Sequence, residues 1–355
     1  MPLTQSSWVR SSRGQTFRGL VAAAALAALL AGCAEPPAPP PPPPPAAPMV
    51  SLSPKLVAEA AAYRRYMSQA TAITPDFSSG ESVAASLQVG VAYEPGQLVR
   101  GAIAYAAISA LQDPAYVEGV QAYAKDPDSR RKIAYEIIKD PAYAVGLPDS
   151  AGAAGLIIAS LGGEAQRLYA EGKAVKQSAY DIQRSSWSKA DVPARDLRLT
   201  RAKSLSTAAM MGDVAETARL QQASTGAAAL GLSAAPVAPP YTPLVIRGLA
   251  VAALAALGEA GEGNLETLMS LAVEPNVSSC MGMSKLNLYQ CLAVARPHYE
   301  DVFCLGQHAM MDTGRCLIQA AGLTAPEEPR FVPDASSINR GMADDRTDRK
   351  KPRRR

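Results

Sequence analysis

The chain has 355 residues, is 48% hydrophobic and 19% charged, and carries a formal net charge of +3. That is apolar material enough for a sizeable core and a soft expectation of two domains. Alanine occurs 68 times against four Phe and two Trp, so closely packed small-residue helices are expected and an aromatic-rich sandwich or barrel is not. No apolar run reaches the roughly 18 residues of a membrane-spanning helix, which excludes a polytopic membrane protein.

The first 18 residues carry Arg10, Arg13 and Arg18 without an acidic residue. A twelve-residue Ala/Leu run, Gly19 to Leu30, follows and ends in Leu30, Ala31, Gly32 and Cys33. Charge, length and small-residue ending are those of a secretory signal peptide. The four-residue ending resembles the lipobox of bacterial lipoproteins. That resemblance, confined to the first 33 or so residues, implies cleavage after residue 32 and diacylglycerol on the Cys33 thiol, with acylation of its new amino group. Ala34, in place of Asp, implies outer-membrane sorting in that family. Two or three acyl chains anchor a protein stably where one does not.

Residues 33–50 form a stalk: ten prolines lie between 34 and 48, seven of them unbroken from Pro39 to Pro45. Such a segment settles into polyproline II and spans about 45 Å at ~3.1 Å per residue. Once residues 1–32 are removed the net charge is zero, divided unevenly. Arg349, Lys350, Lys351, Arg353, Arg354 and Arg355 set a basic block at the very end, expected to be disordered and either able to reach an anionic partner or simply a solvated tail that keeps the protein soluble. In an exported protein that partner is an anionic lipid head group, an acidic polysaccharide or an acidic protein, and nucleic acid is not expected.

The rest reads as helix, giving an all-α fold: an irregular helical bundle or array of helical hairpins with a small disulfide-stapled α-helical unit at its C-terminal end. An α-helical domain is expected over 51–231, a Pro-rich interdomain linker over 232–243, a Cys-containing α-helical domain over 244–322 and a disordered basic tail over 323–355. Ser53 with Pro54 opens the first helix, and a second follows Ser79. Asp-Pro recurs at Asp113, Asp126 and Asp140; each Asp can cap the amides at a helix start, so a row of short helices is expected. A helix from Gly163 to about Ser186 and a partner from Ala194 to about Ala223 describe an antiparallel hairpin. Arg184, Lys189, Arg195, Arg198, Arg201 and Lys203 cluster with Trp187 at its tip, as a solvated face. Gly152, Gly155, Gly162 and Gly163 are packing contacts, and Glu164, Glu171 and Glu300 are helix-surface residues. Leu244 to Leu257 is a core helix, and Asn264 caps another that Pro275 closes.

Cys280, Cys291, Cys304 and Cys316 lie within 37 residues, and their surroundings echo each other as in an internal duplication. Four clustered cysteines in an exported domain imply two disulfides. Sequential pairing, Cys280–Cys291 with Cys304–Cys316, is favoured because Gly282 and Ser284 offer a turn in the first interval, Asp312 and Gly314 in the second. Nested pairing, Cys291–Cys304 inside Cys280–Cys316, is nearly as good, both pairs being centred on Pro297. A zinc site using these thiols with His298 and His308, which carry the only two imidazoles, is the rival; the close ligand spacings it needs are missing. Neither cofactor nor metal is therefore expected. No GxSxG, HExxH or Walker motif occurs. The expectation is a non-catalytic envelope lipoprotein acting as a scaffold or accessory protein, the alternative a cell-wall hydrolase or metal-dependent enzyme with an unrecognised site.

Overall fold

The computed structural model describes residues 49–327, which fall in one compact unit. Thirteen α-helices make up these residues, with short 3₁₀ turns between them and one π-helical segment. The backbone pairs in β fashion only at two isolated bridges among the described residues, Leu52 with Ala260 and Asp191 with Pro297.

Local chemistry explains the helix starts. Ser53, Glu94, Asp113, Asp126, Thr242 and Glu274 each precede a proline and accept a backbone N–H from the first turn, opening α1 (Pro54–Thr71), α3 (Pro95–Ala110), α4 (Pro114–Ala124), α5 (Pro127–Lys139), α9 (Pro243–Ala256) and α11 (Pro275–Val294). Asp140 does the same for a 3₁₀ turn, Pro141–Gly146. Ser79 opens α2 (Gly80–Val91) with a reciprocal bond to Ser82. Pro275, expected to close a helix, begins one instead, because Glu274 accepts from Asn276 and Val277. The preceding α10 (Leu265–Leu271) starts at Asn264, whose amide turns back to the Glu259 carbonyl at 2.8 Å and caps nothing.

The core is built on α3 and α9. Every residue from Gly101 to Ala110 is buried, and α9 is buried along almost its whole length. Small side chains let the backbones close in: a Cβ on Gly101 would lie 2.5 Å from the Glu59 carbonyl oxygen of α1, and one on Gly248 2.7 Å from the Ala106 methyl. Because α9 packs on α3 and on α6 (Ser150–Asp181), residues 232–243 do not link two separate bodies as expected. They lie along α6, where Val237 donates to the Ala151 carbonyl and a Cβ on Gly155 would meet the Ala235 oxygen at 2.2 Å.

The long helix α6 extends about 48 Å and begins thirteen residues before the expected Gly163. Its glycines did not delay it because Gly152, Gly155 and Gly162 face close neighbours, as expected, while Gly163 meets nothing within 4 Å. The expected hairpin is absent: its second arm is broken into α7 (Arg195–Leu205) and α8 (Val214–Ser224), and α7 packs on α2 and α11. Helices α12 (His298–Cys304) and α13 (Asp312–Ala320) continue each other through the π-helical turn Leu305–Met311, and all three pieces lie on α6.

Candidate functional site

The cysteines decide the C-terminal unit. Helix α11 runs unbroken through Gly282 and Ser284, so Cys280 and Cys291 stand about 16 Å apart along one rod, far beyond the roughly 7 Å limit for a bridge. Cys304 and Cys316 are separated in the same way along the helix from His298 to Ala320. The favoured sequential pairing is therefore overturned: the disulfides are nested, Cys280–Cys316 with Cα atoms 5.9 Å apart and Cys291–Cys304 with 5.7 Å. The chain folds back between the two helices at Ala295–Pro297, as the nested alternative requires.

The same fold-back recruits part of the basic cluster. Arg195 donates to the Ala293 and Ala295 carbonyls, and Arg198 to the Leu292 carbonyl, so both cations sit on the unpaired end of α11 and complement its dipole. Arg198 also pairs with Asp301 of α12, which is almost wholly buried. These two arginines are thus internal ties and not the expected solvated face. Lys203 lies over the Tyr289 ring of α11, 5.8 Å from its centroid, and Trp187 is half-buried against His298.

Between the start of α2, the 3₁₀ turn Trp187–Lys189, α7 and α12 lies an open cavity of about 510 Å³, walled by Glu81, Trp187, Arg198, His298 and Asp301 among others. The His298 imidazole covers Gly80, where a Cβ would lie 2.3 Å from its Cε1. Burial, then Arg198, lowers the His298 pKa below its usual value, which keeps the ring neutral at pH 7. Burial raises the Asp301 carboxyl to about 6 against the partial opposition of Arg198. Below that pH the group can donate a proton, above it accept one, which is the chemistry of a general acid or base.

That shift has a testable consequence. The unfolded chain releases the Asp301 proton near 3.8 and the folded chain near 6, so its contribution to stability is complete below 3.8 and is lost as pH rises through 6. Denaturant melts of the wild type are expected to show this decline, and Asp301→Asn to remove it.

Two further buried charges were not expected from the sequence. Glu164, taken as a surface residue, is buried on α6 and paired with Arg64, which reaches on to Glu216 at 3.1 Å. Lys285 is buried on α11, its Nζ donating to the Val91 carbonyl at 2.6 Å and to Ser206 Oγ at 3.1 Å, over the Tyr93 ring. Burial lowers its pKa well below the usual lysine value. Both were marked by spacing: Glu164 falls between Leu161 and Leu168 on the core stripe of α6, Lys285 between Met281 and Leu288 on that of α11.

His308 pairs with Asp312 at 2.8 Å, and Cys304, four residues before it, is consumed by its disulfide. Among the described residues no group of three or more His, Cys, Asp or Glu gathers at metal-holding distance. Cys33 and the basic residues Arg349, Lys350, Lys351, Arg353, Arg354 and Arg355 lie outside the described residues. No protein-family model, curated protein or solved structure matches the chain.

Proposed function

We propose that this chain is an exported lipoprotein, anchored through an acylated Cys33 to the outer membrane and held off it by the polyproline stalk. Its helical body serves as a non-catalytic scaffold in the cell envelope. The observation that carries the reading is the pair of nested disulfides, which persist in an oxidising compartment outside the cytoplasm and agree with the signal peptide and lipobox of the first 33 residues. Cys33→Ser is expected to abolish labelling by a palmitate analogue and to move the protein from the membrane to the soluble fraction; an unchanged distribution would refute the anchor.

The scaffold role is tested by in-cell crosslinking and affinity purification of the full-length chain beside one ending at Asp348. A discrete protein captured by both assigns the role to the helical body. Material held only by the full-length form assigns recognition to the basic tail and an anionic polymer or lipid. No enrichment in either removes the scaffold reading.

The cavity beside Asp301 favours a second reading, a cell-wall hydrolase in which Asp301 acts as the acid and Trp187 as a stacking platform for sugar. Release of soluble fragments from purified peptidoglycan by the wild type, and its loss in Asp301→Asn, would establish it. The scaffold reading is preferred because Arg198 and the end of α11 account for Asp301 without a substrate.

A further inference from the structure

The open cavity of about 510 Å³ at the start of α2 has the size and make-up of a small-molecule site, apolar walls set with a few polar groups. Ala84, Val192 and Pro193 supply apolar wall, and the half-buried Trp187 indole supplies a broad flat surface. Ala84, Pro193 and Arg198 also wall a smaller apolar hollow of about 190 Å³ between α2 and α7, so the two spaces adjoin.

The polar groups of the wall are of two kinds. Arg198 and Asp301 are spent on each other and, for Arg198, on the end of α11. Glu81 and His298 are not. Glu81 is exposed, forms no ion pair with any described residue and accepts one long bond, 3.4 Å, from Ser79 Oγ. Neither ring nitrogen of His298 is hydrogen-bonded to a described residue. The carboxylate is an acceptor, the neutral imidazole carries one donor and one acceptor, and the indole N–H of Trp187 is a further donor.

These groups exclude most classes of ligand. An anion would meet the unpaired Glu81 carboxylate, and a cation would meet the Arg198 guanidinium with a single indole in place of an aromatic cage. A purely apolar molecule would strip water from Glu81 and His298 and return no hydrogen bond. A neutral polyol fits, because each hydroxyl both donates and accepts, while the C–H face of a pyranose ring can lie flat on an indole. We infer that this cavity is a binding site for an uncharged saccharide, which it holds without cleaving. The inference deepens the scaffold reading, on which it rests, by giving the helical body a glycan partner distinct from the anionic partner of the basic tail.

The sequence supplies the reporter. Trp8 and Trp187 are the only two tryptophans, and the polypeptide from residue 34 to 355, used without its lipid, keeps Trp187 alone. Its emission is expected to shift saturably to shorter wavelength on addition of chitotriose or maltotriose, with Kd of about 0.1–1 mM. A response to chitotriose alone assigns an acetamido glycan of the cell wall, and a response to maltotriose a neutral polysaccharide; both support the site. The Kd should be the same in about 0.05 M and about 0.5 M NaCl, since no ion pair forms. By calorimetry, Trp187→Ala should weaken binding at least about tenfold and Trp187→Phe less than about threefold. Glu81→Ala changes an exposed position that ties nothing in the fold, so it keeps the test decisive should Trp187→Ala not fold; it should weaken binding about fivefold. Absence of a response to both trisaccharides overturns the inference, as does a Kd that rises with salt or one unchanged in Glu81→Ala. Shortening of the bound trisaccharide, read by mass spectrometry, also overturns it and favours the hydrolase. The anchor and crosslinking tests are read in cells and this one on the isolated chain, so the two can fail separately.

Discussion

Removing the outer bridge with Cys280→Ser and Cys316→Ser is expected to lower stability by about 4 kcal/mol, and removing the inner one with Cys291→Ser and Cys304→Ser by about 3 kcal/mol. The order follows from the chain each closes, 36 residues for the outer and 13 for the inner, because the entropy withheld from the unfolded state grows with the logarithm of that length. Buried Cys304 and Cys316 also leave small packing defects when changed, while the bridge that remains in each variant shortens the free chain the other one closes, so the two losses are not additive. Chemical denaturation of the two double variants reads the difference directly. Non-reduced peptide mapping gives the independent check: peptides joined as 280–316 and 291–304 are expected, and peptides joined as 280–291 would contradict the helical continuity of α11.

Gly306→Val is expected to cost at least about 3 kcal/mol, the upper part of the range for overpacking a close-packed site. Gly306 lies in the π-helical turn where that turn meets α6, and a Cβ there would stand 2.4 Å from the Lys176 backbone nitrogen and 2.8 Å from the Gly172 carbonyl oxygen. Backbone cannot rotate away as the end of a long side chain can, so α12 and α13 would have to lift from α6. Gly172 and Gly314 make the same seam from both sides, with Cβ positions 2.7 Å from the Met310 Cβ and 2.9 Å from the Tyr169 nitrogen. Gly282 in α11 is the contrast. Nothing lies within 4 Å of its Cβ position, and Gly282→Ala should raise stability by about 0.5–1 kcal/mol through helix propensity alone. Thermal melts of the two variants should therefore move in opposite directions.

The buried charges illustrate how much of the site was legible. Trp187, Arg198 and His298 hold notable positions in the sequence but nothing there joins them, since 111 residues separate Trp187 from His298 along the chain and only the fold-back at Pro297 brings them together. Asp301 follows His298 on the same short helix and carries no motif, because its character comes from burial and from the Arg198 guanidinium of another helix. Lys285 and Glu164 were visible as charges at core spacing, yet the sequence names no partners for them; Val91, Ser206 and Arg64 belong to other elements.

By itself the sequence determined the all-α class and the places where most helices begin. A capping side chain ahead of proline acts over three residues and needs nothing from the rest of the chain, which is why Asp113, Asp126 and Ser53 open helices where expected. It also determined that four cysteines would form two bridges. Which cysteines join was decided only by the tertiary structure, because a pairing depends on whether α11 continues through Gly282, and that in turn on the core that its stripe from Met281 to Leu292 finds. The same holds for the merging of two expected domains into one: α9 is apolar enough for a core of its own, but the small residues of α3 offered a closer fit, and the helix buried itself there.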